Sequence, residues 1–159
     1  MNAKQVVLRD SEIRITLKRM ILQIAENHVD KSSLLLMGLN ERGSFLAKLI
    51  QKGLNEVLPN LQVTFQQIEV TQTMPPCNHS AENIVIVDDV LNSGKTAFIA
   101  AMSCMNEGVA VLETAFLAVR EHRSFPISAN YVGLSIATTL QDHVLFDNEN
   151  PEDLNVYLQ

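Results

Sequence analysis

The run Ile84-Val85-Ile86-Val87-Asp88-Asp89-Val90-Leu91-Asn92-Ser93-Gly94-Lys95-Thr96 constrains this chain more than any other stretch. Four apolar, mostly β-branched residues in succession read as a strand buried on both faces, as in a parallel sheet. Two carboxylates follow, then a Ser-Gly-Lys-Thr turn, and Ala97-Phe98-Ile99-Ala100-Ala101-Met102 opens a helical pattern. A strand–turn–helix unit of this kind presents free backbone N–H groups and the positive end of a helix dipole, which suits a phosphate. Ser93 and Thr96 add hydroxyl donors, and Gly94 lets backbone approach a ligand with no Cβ between them. Asp88 and Asp89 repel phosphate. They suit sugar hydroxyls or a metal-bound sugar phosphate.

Ser93-Gly94-Lys95-Thr96 resembles the end of a P-loop, but that motif needs glycine five residues before Gly94, where this chain has Asp89. An ATPase is thereby excluded, and a phosphorylated ribose fits the acidic pair better than a nucleoside triphosphate. The plain structural reading is a core strand whose two aspartates cap an ordinary helix.

A chain of 159 residues that is 47% hydrophobic has enough for one sizeable core and little for two, so 1–159 is read as a single domain. With 12 Lys and Arg against 18 Asp and Glu, the net charge of −6 offers no global basic field for nucleic acid. No apolar run is long enough to span a bilayer, and the first residues lack the apolar core of a signal peptide. Cys77 and Cys104 lack metal-ligand spacing and are too few for a disulfide framework. Reduced thiols in a cytoplasm are expected.

In chain order, Asp10-Ser11 is a candidate cap for a helix with Ile13, Leu17, Met20, Ile21, Ile24 and Ala25 on one face and Arg14, Lys18, Arg19 and Glu26 near the other. Leu34-Leu35-Leu36-Met37-Gly38 is a second buried strand. A loop Leu39-Asn40-Glu41-Arg42-Gly43 follows, then a helix with Phe45, Leu46, Leu49, Ile50 and Val57 on its apolar face, ended by Pro59. This second strand–loop–helix offers another anion site at the same sheet edge, with Arg42 as a bidentate counter-ion. Residues 61–70 alternate and then change phase at Ile68 and Val70, as at a bulge. Residues 71–83, with Pro75-Pro76, Cys77 and His79, read as a loop. His79 is a candidate general base, weighed against a solvent-exposed filler.

The helix after Thr96 is expected to end near Glu107 with Gly108 as its cap. Val109–Ala118 is a buried strand, Arg120–Ile127 a charged loop, Tyr131–Gly133 and His143–Phe146 short strand pieces, and Leu154–Leu158 a last edge strand. Strands alternating with helices predict an α/β fold with a parallel sheet, right-handed crossovers and a ligand at the strands' carboxyl ends.

The hydrophobic quartet, Asp-Asp and Ser-Gly-x-Thr together resemble the phosphoribosyl-pyrophosphate (PRPP) signature of type I phosphoribosyltransferases. Glu41-Arg42-Gly43-Ser44-Phe45-Leu46-Ala47 is similar to the Thr-Arg-Gly-x-x-Leu-Ala segment of PyrR-type uracil phosphoribosyltransferases, the pyrimidine-operon attenuation regulators. His122-Arg123-x-x-Pro126-Ile127 and Ala129-x-Tyr131-Val132-Gly133 resemble later segments of the same family. The resemblance implies a type I core with a small hood, and PRPP bound with Mg²⁺ by Glu41, Arg42, Gly43, Asp88, Asp89, Asn92, Ser93, Gly94, Lys95 and Thr96. It further implies a pyrimidine base near Tyr131, Val132 and Gly133, and UMP and pyrophosphate as products.

The implied reaction is displacement at ribose C1′ through an oxocarbenium-like transition state. Asp88 and Asp89 hold the 2′- and 3′-hydroxyls, residues 92–96 hold the 5′-phosphate, and Arg42 with Mg²⁺ neutralises the leaving pyrophosphate. Positioning and electrostatics carry the rate. The chain departs from the family at three places. The interval beginning Val70-Thr71-Gln72-Thr73 is short and lacks the family's arginine and two acids in a loop that excludes water. Leu134 stands for a family lysine, and Asn92 for the aspartate that purine enzymes place near the purine N7. An enzyme acting on uracil is therefore expected, against the alternative of a PRPP- or nucleotide-sensing regulatory protein of the PyrR type, acting by pyr mRNA attenuation, with reduced or lost catalysis. RNA is not expected as a specific partner, and a homo-oligomer, dimeric or larger, is.

Overall fold

A computed structural model describes residues 4–71, 77, 79–105, 108–139 and 141–159. Pro75-Pro76, Gln72-Thr73 and Glu107, which figure in the expectations above, lie outside the described residues. Five strands, β2 (Ser33–Leu39), β3 (Gln62–Ile68), β4 (Asn83–Leu91), β5 (Val111–Arg120) and β6 (Tyr131–Ile136), form a wholly parallel sheet in the order β3-β2-β4-β5-β6. Three short strands, β1 (Gln5–Arg9), β7 (Val144–Asp147) and β8 (Asn155–Leu158), make an antiparallel sheet in the order β1-β8-β7. That small sheet, built from both ends of the chain, is the hood. β8 is its central strand, not the edge strand expected.

Helices α1 (Asp10–Asn27) and α2 (Asn40–Val57) cover one face of the parallel sheet. Helix α3 (Lys95–Cys104) covers the other, together with residues of the β3–β4 connection. Every apolar position read onto the face of α1 is buried. On α2, Leu46 and Ile50 are buried, whereas Val57, at the last turn, is 43% exposed. Phe146 of β7, fully buried, packs against Phe45 of α2 with ring centroids 6.2 Å apart, so the hood shares the core of the main sheet.

Some local expectations are corrected. Asp10 is not the cap of α1 but its first helical residue; Arg9 occupies the cap, and its N–H donates to Glu12 at 2.9 Å. The Asp10 carboxylate instead accepts from Leu154 N–H and Arg14, tying α1 to the hood. No bulge interrupts β3, which pairs residue for residue with β2. Its change of phase has another cause. Leu61, Val63 and Phe65 face the α1–α2 side, while Ile68 and Val70 face the α3 side, which is strict alternation with cover moving from one face to the other. α3 stops at Cys104 because Met105 is extended; Gly108, although at φ +96°, lies beyond the helix end.

Candidate functional site

The carboxyl edge of the parallel sheet assembles residues from three connections. β2 runs directly into α2, so the expected loop 39–43 is compressed to one residue, Asn40, in the left-handed region at φ +52°. Asparagine tolerates that conformation, and the Asn40 side-chain oxygen Oδ1 also accepts the Val70 N–H at 2.8 Å, fixing the exit of β3. Glu41, Arg42 and Gly43 therefore form the first turn of α2. A Cβ at Gly43 would lie 2.5 Å from the Val87 carbonyl and 3.0 Å from the Asp88 carboxylate. Glycine lets this turn rest on the end of β4, and Arg42 then reaches within 3.9 Å of the Asp89 carboxylate.

Asp88 and Asp89 occupy the end of β4, each bound to the next backbone amide. Asp89 N–H donates to Asp88 at 2.9 Å and Val90 N–H donates to Asp89 at 2.8 Å. One oxygen of each carboxylate is thus held by the strand itself. Burial, reinforced by the charge of Asp89, pushes the Asp88 carboxyl well above the usual carboxylate range, and Arg42 offsets this in part. Such an environment favours a site that gains when a cation or a hydroxyl donor arrives.

After β4 the turn Asn92-Ser93-Gly94 leads into α3. Gly94 caps the helix at φ +84°, and a Cβ there would lie 2.7 Å from Ile127. The loop 121–127 is fastened beneath it: Ser124 and Phe125 N–H groups both donate to the Ser93 carbonyl, and the Phe125 ring lies 6.0 Å from that of Phe98. A small cavity of about 60 Å³ is lined by Asp88, this turn, Lys95 and Thr96. This cavity lies at the turn that the motif predicts to hold phosphate, and Lys95 N–H is turned toward the Ser93 hydroxyl at 3.4 Å.

Beside it opens a larger cleft of about 700 Å³, lined by Asn92, Ser93, Arg120, Glu121, His122, Arg123, Ser124 and His143. Arg120, the last residue of β5, was not among the expected site residues. Its guanidinium donates to the Thr138 hydroxyl at 2.8 Å, the Thr139 carbonyl at 2.8 Å and the Asn92 side-chain oxygen at 3.3 Å. With its oxygen so engaged, Asn92 has its amide N–H₂ left to donate to a ligand carbonyl. The signal available in the sequence was position: a charged residue ending the strand next to the acidic pair stands at the ligand edge.

Tyr131, Val132 and Gly133 do not join the site. Tyr131 pairs with Ala115, five residues before Arg120, and so begins β6 at the opposite edge of the sheet. Its buried hydroxyl donates to Glu113 and accepts from Asn27, and burial, with Glu113 beside it, raises its pKa. The Val132 and Gly133 carbonyls accept from Arg19 of α1. His79 is likewise no exposed filler and is remote from the acidic pair: it is half-buried, with Nε2 at 2.9 Å from the Cys104 carbonyl and Nδ1 accepting the Ala81 N–H at 3.2 Å. A groove of about 400 Å³ between α1 and α2 has apolar walls with Arg14, Lys18, Lys52 and Glu56 and no paired carboxylates.

The sequence of residues 7–147 matches the phosphoribosyl transferase domain. The chain belongs to the phosphoribosyltransferase family. Similar curated proteins include one named bifunctional protein PyrR from Listeria monocytogenes serotype 4b, 33% identical over 94% of each chain. A protein of the same name from Haemophilus ducreyi is 28% identical over 92% of this chain and 91% of its own. Among solved structures, the hypoxanthine phosphoribosyltransferase of Trypanosoma cruzi superposes with a TM-score of 0.80, covering 97% of this chain and 96% of that one at 21% identity, a likeness of fold. The parallel sheet flanked by helices is thus the phosphoribosyltransferase architecture.

The donor set fits magnesium. Asp88 and Asp89 supply hard carboxylate oxygens, and Mg²⁺ is ordinarily held by one or two carboxylates plus substrate phosphates.

Proposed function

We propose that this phosphoribosyltransferase binds PRPP with Mg²⁺ at the carboxyl edge and transfers its phosphoribosyl group to a pyrimidine, uracil being the favoured acceptor, giving UMP and pyrophosphate. The observation that carries this reading is the convergence of the acidic pair, the Gly94 turn and Arg42 on one edge. In this reading residues 92–96 hold the 5′-phosphate through backbone amides and the start of α3. Asp88 and Asp89 accept hydrogen bonds from the ribose hydroxyls. Glu41, Arg42 and Gly43 border the pyrophosphate, whose departing charge Arg42 balances. Mg²⁺, when bound, supplies the remaining charge neutralisation. The base lies in the cleft beside Arg120, where the Asn92 amide donates to a ring carbonyl; an asparagine there is a poor proton acceptor, which disfavours purines.

A second reading, a PRPP- or nucleotide-sensing regulator with reduced catalysis, draws support from the PyrR name of the relatives and from the short interval 71–83. In its PyrR-type form the second reading includes attenuation on pyr mRNA, but specific RNA binding is not expected. Arg14, Arg19 and Arg120, three of the basic residues best placed for RNA, are bonded within the fold to Asp10 and the Pro151 carbonyl, to β6 carbonyls, and to the Asn92 cleft. Leu134, standing for the family lysine, packs against the core. Two free cysteines suit a cytoplasmic setting, and no helix among the described residues is long and apolar enough to cross a membrane. The shared core supports one working domain over 1–159, and exposed Leu22 and Val57 support a homo-oligomer, which light scattering tests.

The deciding experiment is a product assay with PRPP, Mg²⁺ and each nucleobase. UMP formed faster than any purine nucleotide is the expected result. Faster reaction with hypoxanthine or guanine refutes the pyrimidine assignment, and PRPP binding without any product selects the sensor.

A further inference from the structure

The β3–β4 connection packs on the α3 side of the parallel sheet. α3 links β4 to β5, whereas residues 69–71, 77 and 79–82 contain no helix, yet Val70, Cys77 and Ala81 pack on the same apolar layer as α3. Fold and sequence bring three soft donors together there. Cys77 Sγ lies 3.4 Å from Cys104 Sγ, and the donor atoms of Cys77, His79 and Cys104 all fall within 4.8 Å of one another. The sequence spacing gave no hint of this, because Cys104 is contributed by the far end of α3.

We propose that Cys77, His79 and Cys104 form a binding site for a thiolate-preferring divalent cation, best matched by zinc, that staples the β3–β4 connection at Cys77 and His79 to the end of α3. Two sulfurs on one tetrahedral zinc, with Zn–S bonds of about 2.3 Å, stand about 3.8 Å apart, close to the separation seen here. The histidine is held in the form a metal needs. Nδ1 accepts the Ala81 N–H, so it carries the lone pair, and Nε2–H donates to the Cys104 carbonyl. A backbone carbonyl bound to the second ring nitrogen is the usual support for a ligating imidazole. A metal at Nδ1 takes the place of the Ala81 N–H.

Burial raises the pKa of both thiols, and metal binding and disulfide exchange alike draw on the thiolate. A bound dication reverses that penalty directly, since a coordinating thiol is deprotonated outright. The site lies where α3 ends and β4 begins, at the sheet edge opposite Asp88, Asp89 and Gly94, so its role is to hold the connection in place.

The reduced, chelator-treated full chain is titrated with Co²⁺ and then Zn²⁺, with folding followed by circular dichroism. One equivalent of Co²⁺ giving thiolate charge-transfer absorption and tetrahedral d–d bands, both displaced by Zn²⁺, is expected. Cys77→Ser and His79→Gln, at half-buried positions, should keep the fold and lose or shift those bands. Absence of the bands in folded, reduced protein overturns the proposal, as does their persistence unchanged in both variants. A mass loss of two hydrogens on mild treatment with an oxidised thiol, without metal uptake, also overturns it and makes the pair a disulfide.

Discussion

Replacing Asp89 with asparagine separates the ligand role of the acidic pair from a capping role. In the folded chain Asp89 accepts the Val90 N–H through one oxygen and faces Arg42 at 3.9 Å with the other. Asn retains the first interaction, because its side-chain oxygen accepts equally well. The second is an ion pair whose arginine is 47% exposed. Coulomb attraction at that distance is about 4 kcal/mol at an effective dielectric of 20. Solvent screening and side-chain entropy reduce exposed pairs to about 0–1 kcal/mol. Removing the Asp89 charge also relieves the neighbouring Asp88, which partly offsets even that loss.

Stability should therefore change by less than about 1 kcal/mol, a shift of no more than about 2–4 °C in Tm for a chain of this size. Affinity for PRPP should fall much further. A hydrogen bond to a charged acceptor contributes about 1.5–3 kcal/mol, or about 10–150-fold in Kd. Calorimetry with PRPP and Mg²⁺, beside melts of the ligand-free protein, measures both quantities. A melt lowered by about 8 °C or more, with PRPP affinity unchanged, would refute the reasoning and reduce the pair to a structural cap.

Asp88→Asn should stabilise the ligand-free chain at neutral pH. The folded carboxyl titrates above its unfolded value of 3.8, so its favourable contribution is complete below that value and is lost as pH rises toward the folded one. The Tm difference between variant and parent should widen from acid to neutral pH, and a constant difference would contradict the assignment. Gly43→Ala forces a Cβ against the Val87 carbonyl; about 1–3 kcal/mol of overpacking outweighs about 0.5–1 from better helix propensity, and should lower Tm, by up to about 10 °C, and weaken PRPP binding. Arg120→Met frees Asn92 and should raise the KM for uracil by about 10–150-fold, with PRPP affinity little changed, in steady-state assays that vary each substrate.

The elements most legible in the sequence were those whose signal is local and whose burial is two-sided. Ile84–Val87 and Leu34–Met37 are apolar without alternation because helices or crossing chain cover both faces of their strands. The cradle at 92–96 was legible for the same reason, its glycine and hydroxyls being adjacent in the chain. What escaped was set by tertiary partners. Asp10 looks like a cap until Leu154 and Arg14 claim its carboxylate. Tyr131 looks like a ligand residue until strand register places it at the wrong end of β6. Arg120 and the Cys77–His79–Cys104 cluster depend on which strand ends lie side by side, which no local pattern encodes.

Strand register also accounts for how two adjacent carboxylates can serve one sugar. Successive side chains of a strand point to opposite faces, but β4 departs from that alternation at its end: Val85, Val87 and Val90 pack on the α1–α2 side and Ile84, Ile86 and Leu91 on the α3 side, so the phase changes at Asp88-Asp89. Asp88 lines the small cavity with the Gly94 turn and also lies beside Gly43 in the first turn of α2, where Asp89 faces Arg42. The pair therefore sits at the sheet edge, between the first turn of α2 and the turn that leads into α3. A ribose carrying phosphate at one end and pyrophosphate at the other spans that same edge, so the order cradle, carboxylates, arginine across the sheet follows the order of groups along the proposed substrate.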